Sequence, residues 1–164
     1  MSIIELCQRI QDSRVGVALL ESQYVWLIVE SVHVLSLALS VGLLAIADLC
    51  LIGQFRKLVP LEQTLQPLRP WMLGGFGLMF VSGGLLFWSE AATVYATPWF
   101  KIKMVFLGLA GVNALGFELG MRRRLARRGS TETPPLAAKI AGWTSLACWT
   151  IVIVCGRWVA YAHT

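Results

Sequence analysis

Three ionisable residues sit inside one long apolar run. Tyr24 to Gly53 reads YVWLIVESVHVLSLALSVGLLAIADLCLIG and carries Glu30, His33 and Asp48. Ionisable groups at membrane depth are costly, so they face a partner, a cavity or a bound group. At 100° per residue, Glu30, His33, Leu37, Val41, Leu44 and Asp48 fall on one helical stripe, with Ser40 on its margin. Such a stripe points into a bundle. Further along, Lys101 and Lys103 open another apolar block, and Arg157 and Tyr161 close the last one.

Several chemistries use these residue types. A b-type haem needs an axial imidazole, close approach of small residues and cations for its propionates. His33, the glycines at 74, 75, 77, 83 and 84, and Arg157 or Lys103 supply those types. The second histidine, His163, is the penultimate residue, so a six-coordinate iron would take Met72, Met79 or Met104. A metal ion finds less. Glu30 and His33 are three apart and can share a cation, but Asp48 lies about 22 Å further along the axis. The four cysteines and five methionines show no ligand spacing. No GxSxG, HExxH or Walker pattern is present, so no catalytic residue is assigned. The plainest account is mutual neutralisation of Glu30, His33, Lys103 and Arg157, because buried charges persist when paired. The expected polar cluster is Glu30, His33, Lys101, Lys103, Arg157 and Tyr161.

The elements that must carry these residues are set by composition. The chain has 164 residues, 57% hydrophobic and 14% charged, with mean hydropathy +0.68. A soluble domain carries roughly 25% charged residues. Four apolar blocks, each near the ~20 residues a spanning helix needs, predict membrane spans near 24–49, 71–88, 99–120 and 140–162. The expected fold is all-α: a single transmembrane domain over 1–164, an integral four-helix bundle. Residues 1–20 precede it as an amphipathic interfacial helix, with Ile3, Leu6, Cys7 and Ile10 on one face. Tyr24 and Trp26 suit the interface at the first span's start. No cleavable signal peptide is visible in the first twenty residues, whose apolar positions are interrupted by charge. Pro60, Pro67 and Pro70 are expected to break the chain between the first two spans, leaving room for a short interfacial helix. The glycines of the second span read first as close helix contacts and second as room for a flat prosthetic group. Cys7, Cys50, Cys148 and Cys155 read as small apolar residues with no disulfide.

Charge gives a direction. Net charge is +5. The loops after spans one and three hold Arg56, Lys57, Arg69, Arg122, Arg123, Arg124, Arg127, Arg128 and Lys139, nine positive groups against five elsewhere. The positive-inside rule puts those loops in the cytoplasm and both termini on the outer, periplasmic side. Glu30, His33, Lys101, Lys103, Arg157 and Tyr161 then gather at the outer end. Asp48 and Glu118 fall at the cytoplasmic end, with arginines to pair with. The basic run reads as a topology signal, and no nucleic acid is expected as partner.

Three segments in order, ESVHVLSLALSVGLLAIADLCLIG, PWF-KIKM-FLGLAGVNALGF and GRWVAY, resemble a family of small four-helix bacterial inner-membrane proteins, a domain of unknown function. The resemblance covers most of the chain and implies the fold and a bacterial inner-membrane location. It implies that Glu30, His33, Asp48, Lys103, Asn113, Arg157 and Tyr161 are the family's polar positions. Members often have Arg where this chain has Cys50, and His where it has Glu118. More distantly, the layout is similar to copper-resistance membrane proteins and four-helix b-type cytochromes. The functional expectation is a non-catalytic subunit or accessory protein of a membrane complex, with a membrane-protein partner or a second copy beside the bilayer. The alternative is a b-type haem-binding or quinone-linked electron carrier, in which His33, Arg157 and Lys103 bind the cofactor. A lesser one is a small-solute or metal transporter.

Overall fold

The computed structural model describes residues 2–54, 61–121 and 135–161. These residues form helices joined by short turns, with no strand among them. Arg56, Lys57, Pro60, the arginine run from 122 to 128 and His163 lie outside the described residues.

The amphipathic leader forms two helices rather than one: α1 (Ile3–Gln11) and α2 (Arg14–Glu21). Ser2 and Glu5 close a reciprocal capping box on α1. The break comes at Ser13, whose hydroxyl accepts from the Gly16 amide at 3.3 Å and so restarts the chain as a new N-cap. The two helices meet so closely that a Cβ at Gly16 would overlap the Gln11 carbonyl. Both dock on the outer parts of the bundle. Trp88 Nε1 donates to Ser13 Oγ at 2.9 Å, and the Ala92 amide donates to Gln11 Oε1 at 3.0 Å.

Four helices are long and apolar enough to cross a membrane. The first, α3 (Gln23–Ile52), is 30 residues long, about 45 Å by the helical rise. It stops at Gly53, whose φ of +100° is left-handed and whose amide donates to the Leu49 and Cys50 carbonyls. The second, α4 (Leu61–Ser89), departs from expectation by running helically through Pro67 and Pro70. Both prolines are exposed. After the short α5 (Ala91–Ala96), Thr97 caps and Pro98 opens α6 (Pro98–Gly116). Helix α6 widens into a π-helical turn over Phe117–Met121. The last span is α7 (Leu136–Tyr161).

Helix α3 packs against α4 on one side and α7 on the other, and α6 packs against α7. Met79, Ala110, Cys148, Trp149 and Val152 form the centre, surrounded by Leu37, Val41, Leu44, Phe76, Phe106 and Leu107. Helices α4 and α6 meet through long side chains: Phe87 stacks on Phe100 near one end, and Arg69 pairs with Glu118 near the other. The outer surface is apolar, with Leu35, Val105, Val112 and Leu115 exposed. Lipid replaces water around such a surface. The four cysteines are free thiols, three of them buried.

Candidate functional site

Helix α4 contributes the small residues that let α3 approach. A Cβ at Gly83 would lie 2.8 Å from His33 Cε1, and one at Gly75 would overlap the Ser40 hydroxyl. Gly74, Gly77 and Gly84 face open space instead. The two inward glycines are therefore filled by α3 side chains, which is the helix-contact use of small residues.

His33 is fixed by that contact. Its Nδ1 lies 3.0 Å from the Met79 carbonyl and 3.1 Å from Ser82 Oγ. A carbonyl only accepts, so Nδ1 carries the proton and Nε2 of the neutral ring is left as an acceptor. Ser82 itself donates to the Leu78 carbonyl at 2.7 Å, which leaves its oxygen to receive the imidazole proton. Ser36 donates to the His33 carbonyl at 3.0 Å and Ser40 to the Ser36 carbonyl at 2.7 Å. Every hydroxyl near the ring is thus committed to backbone.

Lys103 comes from α6 and turns into the bundle. Its ammonium lies over Gly156 of α7, 3.6 Å from where a Cβ would stand. It is close enough to Cys155 and to the His33 ring for its charge to act on both. Glu30, one turn before His33 on α3, acts on the same ring with the opposite sign. Glu30 and Lys103 do not form an ion pair, since Arg69–Glu118 is the one pair among the described residues. They are not sealed off either. Among the described residues, the buried side-chain polar atoms without a partner are Trp26 Nε1 and Asp48 Oδ2. The polar atoms of Glu30 and Lys103 and the Nε2 of His33 are not among them, and each of these residues is half-buried.

Of the six expected cluster residues, Glu30 and His33 stand one turn apart on α3, and Lys103 turns inward from α6 onto Gly156 of α7. The other three lie elsewhere. Arg157 donates to the Tyr161 hydroxyl at 2.9 Å on its own helix and lies over that ring, and both side chains are exposed. Lys101 is exposed above the Tyr95 ring, 5.3 Å from its centroid. Two signals in the sequence foretell this split. Lys101 and Lys103 are two apart and cannot share a helix face. Arg157 and Tyr161 are four apart and meet each other first. Trp26 was missed as a member of the interior stripe, although it lies four residues before Glu30. Ser82 and the Met79 carbonyl were missed because their role depends on how α4 registers against α3.

The other end of the stripe is different. Asp48 is buried at the α3–α7 crossing, where a Cβ on Gly142 would stand 3.0 Å from its carbonyl. Ser145 gives it a side-chain hydrogen bond, and Oδ2 has no partner. The expected arginine partner is absent among the described residues. Glu118 does have one, in Arg69. Asn113 donates to the Ala141 carbonyl at 3.0 Å, tying α6 to α7. No group of three or more His, Cys, Asp or Glu residues suited to a metal occurs among the described residues.

Residues 21–162 match the model of a family of unknown function, DUF6644, and the chain belongs to that family. No curated protein and no solved structure matches it.

Proposed function

We propose that this multi-pass protein is a non-catalytic subunit or accessory protein of a membrane complex in the bacterial inner membrane, with both termini periplasmic and the Glu30–His33–Lys103 group on that outer side. The observation that carries the non-catalytic reading is the state of the hydroxyls. Ser36 and Ser82 both donate to backbone carbonyls, so among the described residues neither hydroxyl hands its proton to His33 as a nucleophile would. The apolar outer flank of α6, from Ile102 through Val105, Leu109 and Val112, supplies surface for lipid or for a partner helix. The nine-to-five bias of positive charge supports the orientation. Purification from native membranes in mild detergent tests the reading. A partner protein co-purifying in fixed stoichiometry is expected, and a lone monomer, even after cross-linking, contradicts it.

A second reading has one observation in its favour. The Nδ1–H of His33 is held by a carbonyl and Nε2 is left as a lone pair, which is how ligating imidazoles are usually oriented. A b-type haem or quinone-linked carrier would use that atom, with Lys103 as the nearby cation. Against haem, the Gly83 notch is filled by the imidazole itself. The Met79 residue lies in the core, and Met104 is exposed on the outside of α6. A Soret band lost in His33→Ala would establish the second reading, and a colourless protein would remove haem.

A further inference from the structure

We propose that Asp48 is a proton-binding site: its carboxyl stands in the α3–α7 crossing as the neutral acid and gives up the proton only when water reaches the crossing. The proposal does not depend on the subunit reading.

Asp48 is 4% exposed, whereas Glu30 and His33 on the same helix are half-buried. Its neighbours on α3, Ala47 and Leu51, are buried as well. Across the crossing stands a face of small residues on α7, with Ala138, Gly142 and Ser145 all buried. The helices touch closely there. A Cβ on Gly142 would lie 3.0 Å from the Asp48 carbonyl, 3.2 Å from Ile52 Cγ1 and 3.5 Å from Leu51 Cβ. Helices in such contact have no layer of water between them.

The hydrogen-bond inventory does not suit an anion. An ionised carboxylate has about four acceptor sites on its two oxygens. Ser145 supplies one donor, and Oδ2 has no partner. Among the described residues no cation makes up the difference. On α4, Arg69 is taken by Glu118 of the α6 end. Lys139 on α7 and the two lysines of α6 form no ion pair with Asp48. Cys50 of α3 and Cys148 of α7 are free thiols and bring no positive charge. Helix α2 docks at the opposite end of α3. An unpaired anion in an apolar interior is far costlier than a neutral acid with one unfilled hydrogen bond. A metal ion would need further oxygen ligands, which these apolar neighbours do not offer. A proton needs neither space nor a second ligand.

Release breaks the O–H bond, passes the proton to a water molecule and leaves the carboxylate. The anion then needs water or a cation beside it, so the ionised form favours separated helices and the neutral form favours the packed crossing. The coupling is reciprocal: whatever parts α3 from α7 discharges the proton. Asp48 stands five residues before Gly53, about 8 Å along the axis, so the exchanging water comes from that nearer surface.

The chain has two aspartates, Asp12 and Asp48, and Asp12 is exposed. The test therefore uses the full chain in lipid with Asp12→Asn and with aspartate isotopically labelled at the side-chain carboxyl, so that infrared spectroscopy reads Asp48 alone. At neutral pH a labelled band of a protonated carboxyl is expected, and it should shift only slowly after transfer to deuterium oxide. Ser145→Ala should move the band to higher frequency, because the carboxyl loses a donor. A labelled carboxylate band in place of the acid overturns the proposal. So does an acid band that sodium or potassium ions abolish, which assigns the site to a metal cation. Immediate exchange in deuterium oxide, or an unmoved band in Ser145→Ala, overturns the placement of the proton in a closed crossing. None of these results depends on a co-purifying partner, so the subunit reading stands or falls separately.

Discussion

The two ends of the α3 stripe treat their charges in opposite ways. Near Glu30 and His33, the imidazole is held by the Met79 carbonyl and Ser82, and Glu30 and Lys103 have no ion pair. Near Asp48, the ionisable groups are packed. The Asp48 carboxylate is closed in at the α3–α7 crossing with Ser145, and at the same end Arg69 holds Glu118 across the α4–α6 seam. One helix thus carries a packed carboxylate at one end and, at the other, a carboxylate with no ion pair. Polar residues in a span are not of one kind. What surrounds each group depends on the neighbouring helix: Gly142 brings α7 close at Asp48, and Lys103 reaches over Gly156.

The contrast can be broken at several points, with effects of decreasing size. The tightest feature joining α3 to α4 is the Gly83 notch. Gly83→Leu drives a side chain into the His33 ring and should destabilise the bundle by about 3 kcal/mol or more. Thermal unfolding in detergent would measure it, and a neutral result would mean α3 and α4 do not meet there. At the Asp48 end, Ser145→Ala removes the side-chain partner that this buried carboxylate has among the described residues. The expected loss is about 1–3 kcal/mol, while Asp48→Asn in the same assay should cost less, because an amide of the same shape carries no charge to pair. Glu118→Gln should cost under about 1 kcal/mol, since both partners of that ion pair are more than a third exposed. At the Glu30 end, Glu30→Gln should change stability by less than about 0.5 kcal/mol, because Glu30 has no ion pair to lose. A large loss there would mean that Glu30 is fastened, and the contrast between the ends would disappear.

Much of the fold is legible in the sequence because the membrane enforces it. Backbone polar groups must be satisfied within each span, so four apolar blocks near the spanning length read directly as four helices. Two details escaped. Residues 1–20 read as one helix by the spacing of Ile3, Leu6 and Ile10, but Ser13 restarts the chain through a local cap, which periodicity does not register. Pro67 and Pro70 read as breakers, but both are exposed in the first turns of α4, and the helix runs through them. The site was legible in part. Helical phase put Glu30, His33 and Asp48 on one face. It did not choose among Lys101, Lys103 and Arg157, because that choice depends on the rotation of α6 and α7 against α3. It also gave no sign that Met79 would lend a carbonyl to His33, since backbone groups leave no mark in residue type.

The most direct test of the contrast is labelling from outside the cell. In a background lacking the four native cysteines, Glu30→Cys and Asp48→Cys are treated in intact cells with a membrane-impermeant charged maleimide. The account predicts that Glu30→Cys is modified and that Asp48→Cys is modified only after unfolding. Protection of Glu30→Cys, or labelling of it only from the cytoplasmic face of inverted vesicles, would contradict an accessible Glu30 at the outer end.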